Sequence, residues 1–329
     1  MTKRKHKRCL MLMATAAIAA LTSQATAEDM NVAYLSASSA NTWLASSLAE
    51  MEKVAASNGI EITEFDAQFD PAKQATQMQD VIASGQYQGM IVVALNGAGV
   101  GPDIEAALDQ GMKVVALNQV VGDDLTTSET QIDGMSASVL AAPYRSGERY
   151  GALTVQACEN VTPCDVVYIF GIRGIPLDNA LRDGFDSVIT DHEHISVIAE
   201  GEGKYLGPEQ GMTVTQDILQ VNSTFDVIVG PDQAIQGAQI VLEEEGMVED
   251  VALIGLGGST VAIDAITSGV WFGGVMGAPG TEGRLAMEAM VDALKNGHDR
   301  GGIDPLTTLP EDGVVTRANV GLFTAEWGG

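Results

Sequence analysis

The residues of this chain best suited to chemistry are amides and hydroxyls placed directly after short apolar runs. Ser36-Ala37-Ser38-Ser39-Ala40-Asn41-Thr42-Trp43 follows the first run, Asn96-Gly97-Ala98-Gly99 the third and Asn118-Gln119 the fourth. Further along, Gly171-Ile172-Arg173-Gly174, Gly230-Pro231-Asp232-Gln233 and Gly257-Gly258-Ser259 hold corresponding places. Amides and hydroxyls both donate and accept hydrogen bonds, which suits a neutral polyhydroxylated solute. Trp43 offers an aromatic face to the C–H side of a sugar ring, or to a cation. The same residue types cap helices and form turns, so Ser38 or Asn41 reads equally well as an N-cap, and Trp43 as core packing. Asn118-Gln119 is the stronger signal, because it follows a buried-strand pattern and no helix begins there to need a cap.

Covalent chemistry has little to work with. His192 and His194 lie in Asp191-His192-Glu193-His194 at a helix end, on the side of the sheet away from those loops, and nothing there reliably supplies a third metal ligand. His298 follows a helix-ending glycine and reads as solvated. Without a histidine near the loops, a Ser-His-Asp arrangement is hard to assemble. Gly255-Leu256-Gly257-Gly258-Ser259 could cradle an anion at a helix start, but no Gly-Lys-Ser or Gly-Lys-Thr phosphate loop occurs. The expectation is binding without turnover: no enzyme, no cofactor and no metal site.

The elements that must position these loops alternate regularly. Strands are expected at 32–36, 60–65, 90–95 and 114–117, with helices at 42–58, 71–84 and 101–110 between them. Gly59, Gly85 and Gly111 supply the helix stops. The run at 90–95 is apolar throughout, as in a strand buried on both faces. A second series follows, with helices at 142–157, 179–190, 211–220, 233–245, 261–268 and 283–296. Its strands are expected at 166–170, 197–200, 227–229, 251–255 and 272–276. This β-α-β order predicts parallel sheets with right-handed crossovers. The fold class is α/β, in two units of similar plan. Ligands of such sheets bind beyond the carboxyl ends of the strands, so two facing units would form a cleft lined by the loops named above.

The chain opens as a secretory address. Lys3, Arg4, Lys5, Lys7 and Arg8 precede an apolar run from Leu10 to about Leu21, and Ala25-Thr26-Ala27 has the small residues of a cleavage site. Residues 1–27 are therefore expected to be removed; the apolar run is short for a membrane span, which needs about 20 residues. The address carries five of the 17 Lys and Arg, leaving 12 basic against 44 acidic side chains, a formal charge of −32. That charge repels nucleic acid and anionic lipid, and its even spread reads as a solubility device. Cys158 and Cys164 remain, and in an oxidising compartment their closeness predicts one local disulfide.

Several stretches resemble one family. They are Val32-Ala33-Tyr34-Leu35 with Asn41-Thr42-Trp43, Phe69-Asp70-Pro71-Ala72-Lys73-Gln74 with 77–80, and Gly111-Met112-Lys113-Val114-Val115-Ala116-Leu117. Leu181-Arg182-Asp183-Gly184-Phe185 and Val251-Ala252-Leu253-Ile254-Gly255 complete the set. With the element order, they resemble the ribose-binding type of periplasmic binding proteins, the solute receptors of sugar ABC transporters. The resemblance implies two Rossmann-like parallel-sheet lobes joined by a three-crossing hinge, with a ligand cleft between them. The crossings are expected near 131–134, 277–279 and 310–314. One lobe would comprise 28–132 with 279–311, the other 133–278 with 312–329. It further implies a monomer in the periplasm, a small carbohydrate-like ligand, hinge closure, an inner-membrane ABC permease as partner and no nucleic acid. Some members of the family instead serve as sensing adaptors that dock on a kinase or chemoreceptor.

The family's sugar clamp carries over unevenly. Asn41 and Trp43 match, but Asn118-Gln119 stands for an Asp-Arg pair, Asn179 for an arginine, Pro231 for the asparagine before Asp232, Gly257 for an aspartate and Gly277 for a glutamine. The ligand-contacting residues expected are Ser38, Asn41, Trp43, Asn96, Asn118, Gln119, Arg173, Asn179, Tyr205, Asp232, Gly257 and Met276. With the charged clamp largely missing, a less polar, altered or differently charged solute is favoured over ribose or galactose.

Overall fold

The computed structural model describes Met1 and residues 30–329, so the secretory address, with its cleavage site, lies outside the described residues. Two six-stranded sheets form the frame. The first holds β1 (Met30–Ser36), β2 (Ile60–Asp66), β3 (Gly89–Val92), β4 (Lys113–Leu117), β5 (Ala137–Val139) and β11 (Gly301–Ile303) in the order β11-β5-β4-β3-β1-β2, all parallel. The second holds β6 (Cys164–Phe170), β7 (Ile195–Glu202), β8 (Val227–Pro231), β9 (Ala252–Gly257), β10 (Gly273–Met276) and β12 (Val314–Thr316) in the order β12-β10-β9-β8-β6-β7. Only β12 runs antiparallel, against β10. This is the α/β, two-lobed fold expected.

Helices cover both faces of each sheet, which is why the inner strands are apolar on both sides. In the first lobe, α1 (Thr42–Asn58) and α9 (Pro279–Asn296) share one face, where Met51, Met287 and Met290 pack on Tyr34, Ile91 and Val115. The other face packs Met78 of α2 (Pro71–Ser84) and Ile104 of α3 (Gly101–Asp109) on Leu35, Val92 and Val114. In the second lobe, Phe185 of α5 (Pro176–Ile189) and Leu153 of α4 (Pro143–Ala157) pack on Val166 and Val229. The opposite face joins Ile218 of α6 (Pro208–Val221), Leu242 of α7 (Asp232–Glu244) and Ile266 of α8 (Thr260–Ser268) with Trp271. Burying such a Leu, Ile or Phe side chain contributes roughly 1.5–3 kcal/mol, so each lobe holds its own core.

Local signals set the helix ends. Asn41 accepts from Leu44 N at 2.9 Å and so caps α1, which ends at Gly59 in the left-handed region (φ 67°). Asp70 caps α2 ahead of Pro71. Three helices begin about a turn earlier than the apolar periodicity predicts. α5 starts at Pro176, α6 at Pro208 and α9 at Pro279, each with proline in its first turn, where the missing N–H costs nothing.

The chain passes between the sheets three times. β5 belongs to the first sheet, so the first passage lies between β5 and α4, downstream of the expected 131–134. The second lies at 277–278, between β10 and α9. The third runs from β11 to β12 through two short 3-10 turns, Pro305–Thr308 and Pro310–Gly313. After β12 the tail packs Val320 and Phe323 into the second lobe's core. Cys158 and Cys164 form the expected disulfide, their Cα atoms 5.8 Å apart, between α4 and β6. Among the described residues no helix is long and apolar enough to cross a membrane, and no group of His, Cys, Asp and Glu could hold a metal ion.

Candidate functional site

A cavity of about 120 Å³ lies between the lobes, at the carboxyl ends of both sheets. At roughly 10–15 Å³ for each water-sized group, it takes on the order of ten non-hydrogen atoms. The first lobe contributes Ala37 and Asn41 beyond β1, Trp43 and Leu44 of α1, and Asn118 and Gln119 beyond β4. The second contributes Ser146 of α4, Leu177 and Leu181 of α5, Tyr205, Gln233 of α7 and Leu256 of β9. Met276 and Gly277 line it where the chain crosses, Glu282 from the first turn of α9, and Trp327 from the tail.

Half of the expected contact residues meet here: Asn41, Trp43, Asn118, Gln119, Tyr205 and Met276. Asn118 is held in the left-handed region (φ 63°), a conformation asparagine tolerates, and this turns the chain sharply at the end of β4. Its Nδ2 donates to Glu282 Oε2 at 3.2 Å. The Asn41 amide is spent on the frame. Besides capping α1, it donates from Nδ2 to the Tyr205 carbonyl at 2.8 Å, a direct bond between the lobes. By contrast, the side chains of Gln119, Gln233 and Ser146 are buried and make no hydrogen bond among the described residues, which leaves them for a ligand.

The other expected contacts lie elsewhere. Ser38 is buried behind the wall and accepts from Ala40 N. Asn96 is exposed and braces its own turn by accepting from Gly99 N. Arg173 lies outside on Phe170, 4.4 Å from the ring centroid, and pairs with Glu200 at 3.0 Å. Asn179 is exposed because α5 has already begun at Pro176, which rotates this position away from the cleft. Asp232 is fully buried behind the cavity and accepts from Ser259 N at 2.7 Å, and burial raises its carboxyl to about 6. Gly257 acts through the space it leaves.

That space accounts for much of the cavity's character. A Cβ on Gly277 would collide with the ring of Trp43, and one on Gly257 with the ring of Trp327. Gly171 makes room for Tyr205 in the same way. Where the sequence lacks a glutamine and an aspartate, aromatic rings fill the volume. Tyr205 is fixed by its hydroxyl, which donates to Asp178 Oδ1 at 2.9 Å; Asp178 in turn accepts from Gly171 N and Ile172 N. Trp327 donates from Nε1 to the Gly257 carbonyl at 2.7 Å and meets Trp43 edge to face.

Trp327 belongs to a strap across both lobes. Its carbonyl accepts from Thr260 N of the second lobe at 3.0 Å. The Glu326 carboxylate accepts from Thr281 N and Oγ1 of α9, and Thr42 Oγ1 of α1 donates to the Gly329 carbonyl. The tail therefore closes one wall and ties the lobes together.

Sequence reasoning misses Glu282 and Trp327. Glu282 is almost wholly buried, and Asn118 is its only side-chain hydrogen-bond partner among the described residues. Loss of solvent pushes its carboxyl up to about 8; the Asn118 donor opposes this and the Glu326 charge adds to it. Pro279 is the signal for Glu282, since a proline at the first helical position starts α9 early enough to place it on the first turn. For Trp327 the sequence offers only a large aromatic near the chain end, without periodicity.

Residues 32–299 match the periplasmic binding protein domain family. The chain is 25% identical over 271 residues to the xylitol-binding protein of Mycolicibacterium smegmatis, covering 82% of this chain and 72% of that one. It is 23% identical over 245 residues to the ribose import binding protein RbsB of Bacillus subtilis, covering 74% and 75%. An ABC transporter solute-binding protein from Bacillus halodurans, solved with myo-inositol bound, superposes with a TM-score of 0.76 at 21% identity, covering 91% of this chain and 97% of that one. At that identity the last likeness is one of fold.

Proposed function

Because the chain belongs to the periplasmic binding protein family, we propose that it is the periplasmic receptor of an ABC importer, capturing a small polar solute of sugar, polyol or sugar-like class. The lobes close on the solute, and the closed form presents both to a membrane permease; no bond is made or broken. The observation that carries this reading is a solute-sized cavity walled by strand-end loops of both lobes. A direct hydrogen bond from Asn41 to Tyr205 across the cleft supports closure as the working motion. Relatives named for xylitol and ribose, and one holding myo-inositol, support the solute class.

Asn118, Gln119, Gln233 and Ser146 bind the solute's polar groups, and Trp43, Tyr205, Met276 and Trp327 enclose its apolar surface. The N-terminal address brings the protein to the periplasm, where it works as a monomer. The test is a thermal-shift screen against pentoses, hexoses, polyols, amino alcohols and small acids. A solute that binds only the folded state raises the melting temperature by mass action, by about 2.7 kcal/mol of stability at a hundredfold excess over Kd. A hit in the sugar, polyol or sugar-like classes is expected. A hit confined to small acids overturns the class, and silence across the panel overturns the receptor reading.

A further inference from the structure

Resting on that receptor reading, we infer that the solute is a hydroxylated organic cation, its charged nitrogen seated between the Glu282 carboxylate and the rings of Trp43 and Trp327. The cavity contains one carboxyl group and, among its lining residues, no lysine, arginine or histidine. Glu282 enters no ion pair among the described residues, and the charges that act on it, Glu326 and Asp304, are themselves acidic. A buried carboxylate without a counter-ion is costly, whereas a cationic solute supplies the missing charge. Trp43 also faces the carboxyl, and its buried N–H has no acceptor at hydrogen-bonding geometry among the described residues.

The aromatic rings point the same way. Gly257 and Gly277 open the space that Trp327 and Trp43 fill, so indole stands beside Glu282 where a polar clamp would otherwise reach. Indole faces attract ammonium groups, by about 2 kcal/mol where water is excluded. A neutral polyol gains little from this arrangement and leaves the carboxyl to be held as an acid. The unbonded amides of Gln119 and Gln233 account for hydroxyls elsewhere on the solute. The acidic surface, with a formal charge of −27 over the whole sequence, draws small cations inward.

Two matched pairs test this by calorimetric titration: choline against its neutral carbon isostere 3,3-dimethylbutan-1-ol, and glucosamine against glucose, with xylitol as the polyol probe. The expected result is that at least one cation binds more tightly than its neutral partner by about tenfold or more. Glu282→Gln should abolish that preference, bringing the cation's affinity down to that of its neutral partner, and Trp43→Leu provides a second variant should the first melt early. If xylitol or glucose binds and neither cation does, the cation inference falls and the receptor reading stands. The inference falls equally if Glu282→Gln, folded by circular dichroism, keeps the preference. If no probe of either kind binds, both readings fail.

Discussion

Trp43 and Trp327 meet edge to face, ring centroids 5.4 Å apart and planes at 68°, although they come from opposite lobes. The two rings line the same cavity, so the contact links solute enclosure to the strap that carries Trp327. Trp327→Ala removes the ring, takes away one of the two donors to the Gly257 carbonyl (Gly277 N remains) and opens one wall. Solute affinity should fall by about tenfold or more, as for a buried aromatic anchor, and the melting temperature should drop. Trp327→Phe should lie between the two. Wild-type affinity in the alanine variant, measured by calorimetry on the solute found in the screen, would remove Trp327 from the site.

Asn118→Leu takes away the one side-chain donor to Glu282 among the described residues, and a polar wall of the cavity. The unpaired buried group costs about 1–3 kcal/mol, so binding should weaken by more than about tenfold. A titration showing unchanged affinity would mean that the end of β4 does not face the solute.

Glu282 predicts a dependence of stability on pH. Its folded value, about 8, lies above its ordinary 4.5. The stability it contributes is therefore fully present below that ordinary range and is lost as pH rises through about 8, on the order of a few kcal/mol. Glu282→Gln does not titrate. Asp178 and Asp232, both raised to about 6, cancel in the comparison. In melts without solute between pH 5 and 9, wild type should lose ground to the glutamine variant as pH rises; a constant gap would refute a buried, raised Glu282.

Cys158→Ser opens the disulfide beside α4, far from the cavity. In the chain-entropy account a loop this short stabilises by about 2 kcal/mol. The variant should melt several degrees lower under oxidising conditions while binding solute as wild type does. Equal melting of the two would show that the bridge contributes nothing to stability.

The alternation of strand and helix was legible because parallel strands buried on both faces read as unbroken apolar runs. Asn118 and Gln119 were legible for the same reason, as polar residues at the end of such a run. β5 was not: Ala137-Ser138-Val139 is three small residues following a long polar loop, and it becomes a strand only by lying between β4 and β11. Arg173 and Asn179 sit in the right loop and helix, yet one is drawn outward by Glu200 and Phe170 and the other turned away by a helix begun at Pro176. Glu282 and Trp327 were hidden because their importance arises from distant chain meeting at the cleft, and glycines that make room for rings are silent in sequence.

The chain has three tryptophans. Trp271 is sealed in the second lobe's core, with its N–H on Gln239 Oε1 at 2.8 Å. The other two form the pair across the cleft. Under the proposed closure, intrinsic fluorescence divides into a constant emitter and a pair that parts or meets as the lobes move. A change in that pair's emission on adding solute would report the proposed closure without a dye.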